Sequence, residues 1–229
     1  MSEKKRILIV DGGNDEALAF ADAVKDKYSV FTAPNGEAAI EEMRKSPPEF
    51  ILLTGAEYLR VIEQIDMTDG LTKLPNRRLF EMQAAKEWER TIREKKVISI
   101  MLIDIDGFEN YNDLNSDPKG DDLLRAMADI LRASIKRPSD EFARFEGDQF
   151  IAILPGTYTE GAKELAEQIR AQMEALKIPV GTGKHVTISI GINTAAPRVG
   201  SSFETFQSGV KKALASAKNV GGDCIRVMA

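Results

Sequence analysis

The sequence predicts an α/β fold: a central mixed sheet flanked by helices, preceded by a small βαβαβ unit. Three observations carry this. Residues 5 to 54 alternate short apolar runs with helical stretches. Val97 to Ile103 is a nearly unbroken apolar run ending in Asp104-Ile105-Asp106, and Asp140 to Leu154 reads as two strands joined at a tight turn on Glu146-Gly147. A strand buried on both faces shows as a continuous apolar run, and acids at its carboxyl end mark where it leaves the core. A short polar turn with glycine between two such runs signals a hairpin.

Taken in order, the first unit reads as strand Arg6-Asp11, a helix from about Asp15 to Lys25, strand Tyr28-Ala33, helix Gly36-Arg44 and strand Phe50-Thr54. Strand-helix alternation of this kind builds a parallel sheet with right-handed crossovers. It resembles the first half of a response-regulator receiver domain. That family carries a pair of acids after its first strand and a phosphoacceptor aspartate after its third. Asp11-Gly12 and Thr54 stand there instead, so residues 1–55 are expected to be a truncated receiver-like unit that is not phosphorylated. Three strands and two helices fall below the usual size of a self-sufficient core. A partner surface is therefore expected, most simply from a second copy in a homodimer. Ala56 to Met67 places Leu59, Ile62 and Ile65 on a helical stripe with Val61 and Met67 nearby. Residues 56–68 are read as a linker helix, packed on its own domain or paired in a dimer.

Residues 69–229 form the main domain. Its expected elements are a helix from Arg77 to about Lys95, the strand Val97-Asp104, a helix or turn through Asn112 and a helix Asp121-Ile135. Then come the hairpin, helix Thr159-Leu176, strand Val186-Asn193, helix Phe203-Lys218 and a last strand Cys224-Met228. Trp88 falls at a core-facing position of its helix. Gly181-Thr182-Gly183-Lys184 precedes a strand instead of opening a helix, which argues against a phosphate loop.

Composition narrows the function. With 43% apolar and 29% charged residues the chain is an ordinary globular one, and a net charge of −5 argues against nonspecific nucleic-acid binding. No apolar run is long enough to span a bilayer and no leader-like segment is seen, so no membrane insertion and a cytoplasmic location are expected. One cysteine, Cys224, excludes an intramolecular disulfide framework, and one histidine, His185, excludes a histidine-based zinc site.

The carboxylates carry the specific signal. Glu146-Gly147-Asp148 alone is an ordinary polar turn. Together with the acids after Ile103 it supplies two carboxylate-bearing strand ends, the minimum for a Mg²⁺ site of the phosphoryl-transfer kind. Further segments stand in register with them: Asp69-Gly70-Leu71-Thr72-Lys73-Leu74-Pro75-Asn76-Arg77-Arg78, then Asp104-Ile105-Asp106-Gly107-Phe108-Glu109, Asn112-Asp113 and Gly120-Asp121, with Glu146-Gly147-Asp148-Gln149-Phe150 last. In this set the chain resembles the GGDEF, or diguanylate cyclase, family, with a degenerate signature.

The resemblance implies metal ligation by Asp104, the Ile105 carbonyl and Asp148, with Mg²⁺ present if GTP binds. It implies residual nucleotide contacts from Asn112, Asp121 and Lys218. The departures are as informative. The family has glycine at the position of Glu146 because backbone and nucleotide approach closely there. It has a triphosphate-contacting lysine at the position of Glu109, an arginine in the segment matching Gly221-Gly222-Asp223, and a catalytic glutamate at the position of Gln149. These exchanges leave the site three charge units more negative than the family pattern. At an effective dielectric near 20 and a separation of about 5 Å, each unit is worth roughly 3 kcal/mol before screening. Phosphoryl transfer rests on positioning and charge neutralisation, so no catalytic residue is expected to work.

Arg137-Pro138-Ser139-Asp140 stands where the family carries its Arg-x-x-Asp inhibitory site for cyclic di-GMP. A guanidinium can donate two hydrogen bonds to the O6 and N7 edge of guanine, and a carboxylate can accept from its N–H groups. Pro138 stiffens the loop and lowers the ordering cost of binding. The expectation is a catalytically inactive cyclic di-GMP receptor using Arg137 and Asp140 and signalling through a protein partner. A weak, product-inhibited cyclase and a nucleotide-free interaction module are the alternatives.

Overall fold

A computed structural model describes residues 4–10, 15–48, 50–53, 67–115, 117–135, 137–181 and 183–228, with the backbone alone for 15–18 and Leu53. Asp11-Gly12, Thr54, Thr182 and nearly all of the expected linker helix 56–68 lie outside the described residues. The chain divides into two compact units, Met1–Met67 and Thr68–Ala229. No helix among the described residues is long and apolar enough to cross a membrane.

In the first unit β1 (Arg6–Val10), β2 (Ser29–Ala33) and β3 (Phe50–Leu53) form a parallel sheet in the order β2-β1-β3. Helix α1 (Asp15–Val24) and helix α2 (Gly36–Lys45) are the crossovers, as the alternation predicts. Asn35 caps α2 by accepting from the Ala38 amide at 3.0 Å. Alternate residues of β1 face opposite ways, Leu8 and Val10 toward Ala33 and Ala39, Ile7 and Ile9 toward Val24, Val30 and Leu52. The apolar store is small, and Phe50 stays 48% exposed.

The second unit holds a mixed five-stranded sheet of β4 (Ile98–Ile105), β5 (Glu141–Glu146), β6 (Gln149–Pro155), β7 (Ile188–Ala195) and β8 (Ile225–Val227). The order is β5-β6-β4-β7-β8, antiparallel except for the β7–β8 pair. Helix α3 (Arg77–Glu94), α4 (Phe108–Asn115), α5 (Asp117–Ser134), α6 (Thr159–Ala175) and α7 (Phe203–Asn219) cover it. The unbroken apolar run of β4 is explained by burial on both sides. Ile98, Ile100 and Leu102 pack with Phe80, Trp88, Phe206 and Leu214 of α3 and α7. Met101, Ile103 and Ile105 pack with Leu123, Met127, Leu131 and Ile169 of α5 and α6.

Three expectations shift. The hairpin turns on Gly147-Asp148, not Glu146-Gly147, because Glu146 still pairs with Gln149 and Gly147 supplies the positive φ of 56°. Helix α5 begins at Asp117, four residues before Asp121, because Pro118 in a first turn forfeits only an amide that has no helical partner. Gly120 lies inside that helix since a Cβ there would overlap the side-chain oxygen of Asn112. Strand β7 starts at Ile188, two residues after the expected Val186.

Helix α7 lies so close to β7 that a Cβ on Gly191 would stand 2.6 Å from the Val210 carbonyl oxygen and overlap the Leu214 amide. Backbone atoms cannot yield as a side chain can. Gly191→Ala should therefore cost roughly 3 kcal/mol of stability, read as a lower urea midpoint at unchanged m-value.

Candidate functional site

The register of β4 builds the site at its carboxyl end. Asp104 lies directly across from Gln149 on β6 and from Ser189 on β7. Directly opposed residues share a face, and parity puts Asp104 on the α7 side with Ile100 and Leu102. Lys218 stands in the last turn of α7, where the helix dipole favours a cation. Its ammonium lies 2.5 Å from Asp104 Oδ1 and 2.7 Å from Asp106 Oδ1. Gln149 Nε2 donates to the other oxygen of Asp104, Oδ2, at 2.8 Å.

Asp106 is more heavily bonded still. It accepts from Ser189 Oγ at 2.7 Å, Thr187 Oγ1 at 2.8 Å and the Asp223 amide at 2.9 Å, besides Lys218. Burial raises its pKa, but these donors outweigh burial and hold it below the usual carboxylate range. Burial likewise works against the Lys218 charge, and the two carboxylates overcome it and lift its pKa. Gly222, at φ 79°, brings the chain so close that a Cβ would stand 2.8 Å from Asp106 Oδ1. Glycine at 222 is thus a packing requirement of this chain. Asp106 was named in the sequence only as part of a segment; its spacing of two from Asp104 was the signal that both share this side.

The donor set suits a tethered cation better than a divalent ion. Mg²⁺ needs an octahedron of oxygens. What faces Asp104 is an ammonium and an amide N–H. Asp148 is pushed above the usual carboxylate range by burial and then by the charge of Asp104. Among the described residues no group of three or more His, Cys, Asp or Glu is placed to hold an ion. The side chains as folded do not fit Mg²⁺.

The rest of the signature is tied to the opening motif. Arg144 donates through Nε to the Gly147 carbonyl at 2.9 Å and through Nη1 to both oxygens of Asp69 at 3.1 and 3.2 Å. Asp69 also accepts from the amide and hydroxyl of Thr72, each at 2.7 Å. Burial raises the Asp69 pKa, but the Thr72 and Arg144 donors bring it below its usual value. Sequence reading missed this pair, whose members lie 75 residues apart. Glu146 is exposed and sits 3.6 Å from Arg77. Glu109 is exposed in the first turn of α4, so a carboxylate already stands at a helix end that would attract phosphate.

Asn112 and Asp121 come from adjoining helices. Asn112 Oδ1 is buried with no hydrogen-bond partner among the described residues. Asp121 lies 3.8 Å from Arg125, which is itself bonded to Asp122 at 2.9 Å.

Arg137 and Asp140 line one cleft of about 210 Å³ with Ser134, Thr157, Glu164 and Gln168. The Asp140 amide donates to the Arg137 carbonyl at 3.0 Å, closing the turn that aims both side chains. Asp140 Oδ1 is buried and accepts no hydrogen bond among the described residues. Burial raises the Asp140 pKa despite the opposing effects of Arg137 and Ser139.

A profile of the family described as diguanylate cyclase, GGDEF domain, matches residues 66–224. The probable diguanylate cyclase DgcC of Escherichia coli (strain K12) is 29% identical over 174 residues, 76% of this chain and 46% of that protein. The response regulator PleD of Caulobacter vibrioides (strain NA1000 / CB15N) is 34% identical over 163 residues, 68% of this chain and 36% of that protein. The chain thus spans less than half the length of these relatives. The GGDEF domain of DgcB from Caulobacter crescentus, solved in complex with c-di-GMP, superposes with a TM-score of 0.65 at 23% identity, covering 71% of this chain and 95% of that one. That likeness shows the fold.

The bonding at Asp106 sets a stability difference. Asp106→Asn should cost about 2 kcal/mol at neutral pH, since it leaves Lys218 with a single carboxylate. Because the folded-state pKa is lowered, the contribution is full above the ordinary carboxylate range and is lost as pH falls through the lowered value. Urea melts of both proteins from pH 7 to pH 3 should show the gap closing in acid.

Proposed function

The chain belongs to the GGDEF domain family, the family of diguanylate cyclases, and on that premise we propose that it is a catalytically inactive receptor for cyclic di-GMP. The observation that carries the proposal is the cleft where Arg137 and Asp140 meet. Arg137 and Asp140 line one opening, and Oδ1 of Asp140 is a buried acceptor with no donor among the described residues. An unpartnered buried acceptor costs about 1–3 kcal/mol, and guanine N–H groups would relieve that cost. Arg137 would donate to the O6 and N7 edge of a guanine while Asp140 accepts from N–H groups.

Inactivity rests on the other end of the hairpin. The acceptor oxygens of Asp104 are engaged by Lys218 and Gln149, Lys218 is held away from a triphosphate by two carboxylates, and Glu109 and Glu146 add negative charge where nucleotide would approach. Transition-state charge would have too little to neutralise it. The first unit, read as receiver-like, is proposed to mediate self-association, and the ligand-bound state to change contacts with a protein partner in the cytoplasm.

A second reading is favoured by Asn112 Oδ1, which has no donor among the described residues and leaves an acceptor near Asp121 for weak GTP binding. On that reading the protein is a feeble cyclase restrained by its own product.

Calorimetric titration with cyclic di-GMP, on protein freed of carried-over nucleotide, tests the first reading, with GTP and Mg²⁺ incubated in parallel and analysed for product. Binding without turnover is expected. Arg137→Ala should lower affinity by at least tenfold while leaving the melting temperature unchanged; unaltered affinity would sink the receptor reading. Affinity should also fall as pH drops through the raised pKa of Asp140, because the protonated carboxyl loses an acceptor. Asp140→Asn should bind weakly at every pH.

The combined variant Glu109→Lys, Glu146→Gly and Gln149→Glu should bind GTP more tightly than the native chain in the same calorimeter. If it does not, charge is not what disables the site.

A further inference from the structure

We infer that this chain carries its own replacement for a metal ion: Lys218 and Gln149 together satisfy the carboxylates at the end of β4, so the site folds and stays closed without a divalent cation. The two oxygens of Asp104 have separate donors, the Lys218 ammonium at 2.5 Å on Oδ1 and the Gln149 amide at 2.8 Å on Oδ2. The same ammonium reaches Asp106 at 2.7 Å. One tethered cation therefore stands between Asp104 and Asp106 and occupies an Asp104 oxygen that a bound ion would take.

The role of Gln149 is specific to its amide. A glutamate at 149 could only accept, and it would add a third carboxylate beside Asp104 and Asp148. Two like charges facing across adjacent strands repel, and a cation would be required to hold them. With glutamine the pair becomes donor and acceptor, and that requirement disappears. Lys218 is suited to a permanent role because it is anchored on a helix, in the last turn of α7, where the dipole favours its charge. An ion from solution would have to displace a group whose local concentration does not fall.

The arrangement also joins separate elements. β4 supplies Asp104, β6 supplies Gln149 and α7 supplies Lys218, while β7 and the turn before β8 supply the remaining donors to Asp106. The cluster is thus a polar clasp across the ends of three strands, the turn before β8 and one helix. Replacing a metal, it contributes structure where chemistry would otherwise occur.

Mn²⁺ is the probe, read in two ways on the full chain: the free-ion electron paramagnetic resonance signal and the melting temperature with and without EDTA. The native protein should leave the Mn²⁺ signal undiminished and melt at one temperature in either condition, up to millimolar ion, where even weak protein sites fill. Gln149→Glu, isosteric with the native residue, should melt lower in EDTA and take up Mn²⁺ saturably, with a rise in melting temperature as it does. Lys218→Met should melt lower in EDTA and be rescued in part by Mn²⁺; should it fail to fold, Gln149→Glu decides alone. Saturable Mn²⁺ uptake by the native chain that disappears in Asp104→Asn would overturn the inference. So would a Gln149→Glu protein that responds to Mn²⁺ no more than the native one.

Discussion

Burial of β4 on both faces is the constraint from which the rest of this domain follows. A strand packed by α3 and α7 on one side and by α5 and α6 on the other cannot slip by one residue, because a slip would send its whole apolar set to the wrong layer. That fixed register sets Asp104 opposite Gln149 and Ser189. It also aims Asp104 at α7, so that Lys218 meets it. The polar cluster is thus a consequence of apolar packing, with its members brought together by strands that were paired for other reasons.

The β5–β6 hairpin carries two sites at its two ends, and they have diverged. At the turn, Gly147-Asp148 is held by Arg144, which is held in turn by Asp69. There Asp69 and Asp104 both accept from donors of this chain. At the open end, the loop before β5 and the start of α6 line the Arg137–Asp140 cleft, where a buried carboxylate oxygen has no donor among the described residues. A satisfied group gains little from a ligand, and an unsatisfied one gains more. The proposed receptor role rests on that contrast.

How much of this was legible beforehand depends on the range of the interaction. The hairpin, the apolar central strand and the capped helices were readable because each rests on local pattern or turn chemistry. The turn itself was misplaced by one residue, since Glu-Gly and Gly-Asp are equally good turn pairs until pairing across the strands selects one. The start of α5 was placed too late: Asp117-Pro118 opens the helix, and Gly120 is a helical residue crowded by Asn112. Nothing local marks Asp69 and Arg144 as partners.

Along the chain, Gln149, Gly222 and Lys218 stand as separate contributions to charge. The folded arrangement shows coupling among them. Gln149 serves Asp104 as a donor, Gly222 allows the chain to approach Asp106, and Lys218 divides its charge between both acids. By itself the sequence determined the α/β class, the strand that forms the core and the segments that carry polar function, because these depend on periodicity and short-range chemistry. Only the tertiary structure decided which donor faces which carboxylate, because hydrogen-bond pairing between strands and a helix far apart in the chain is settled by packing geometry.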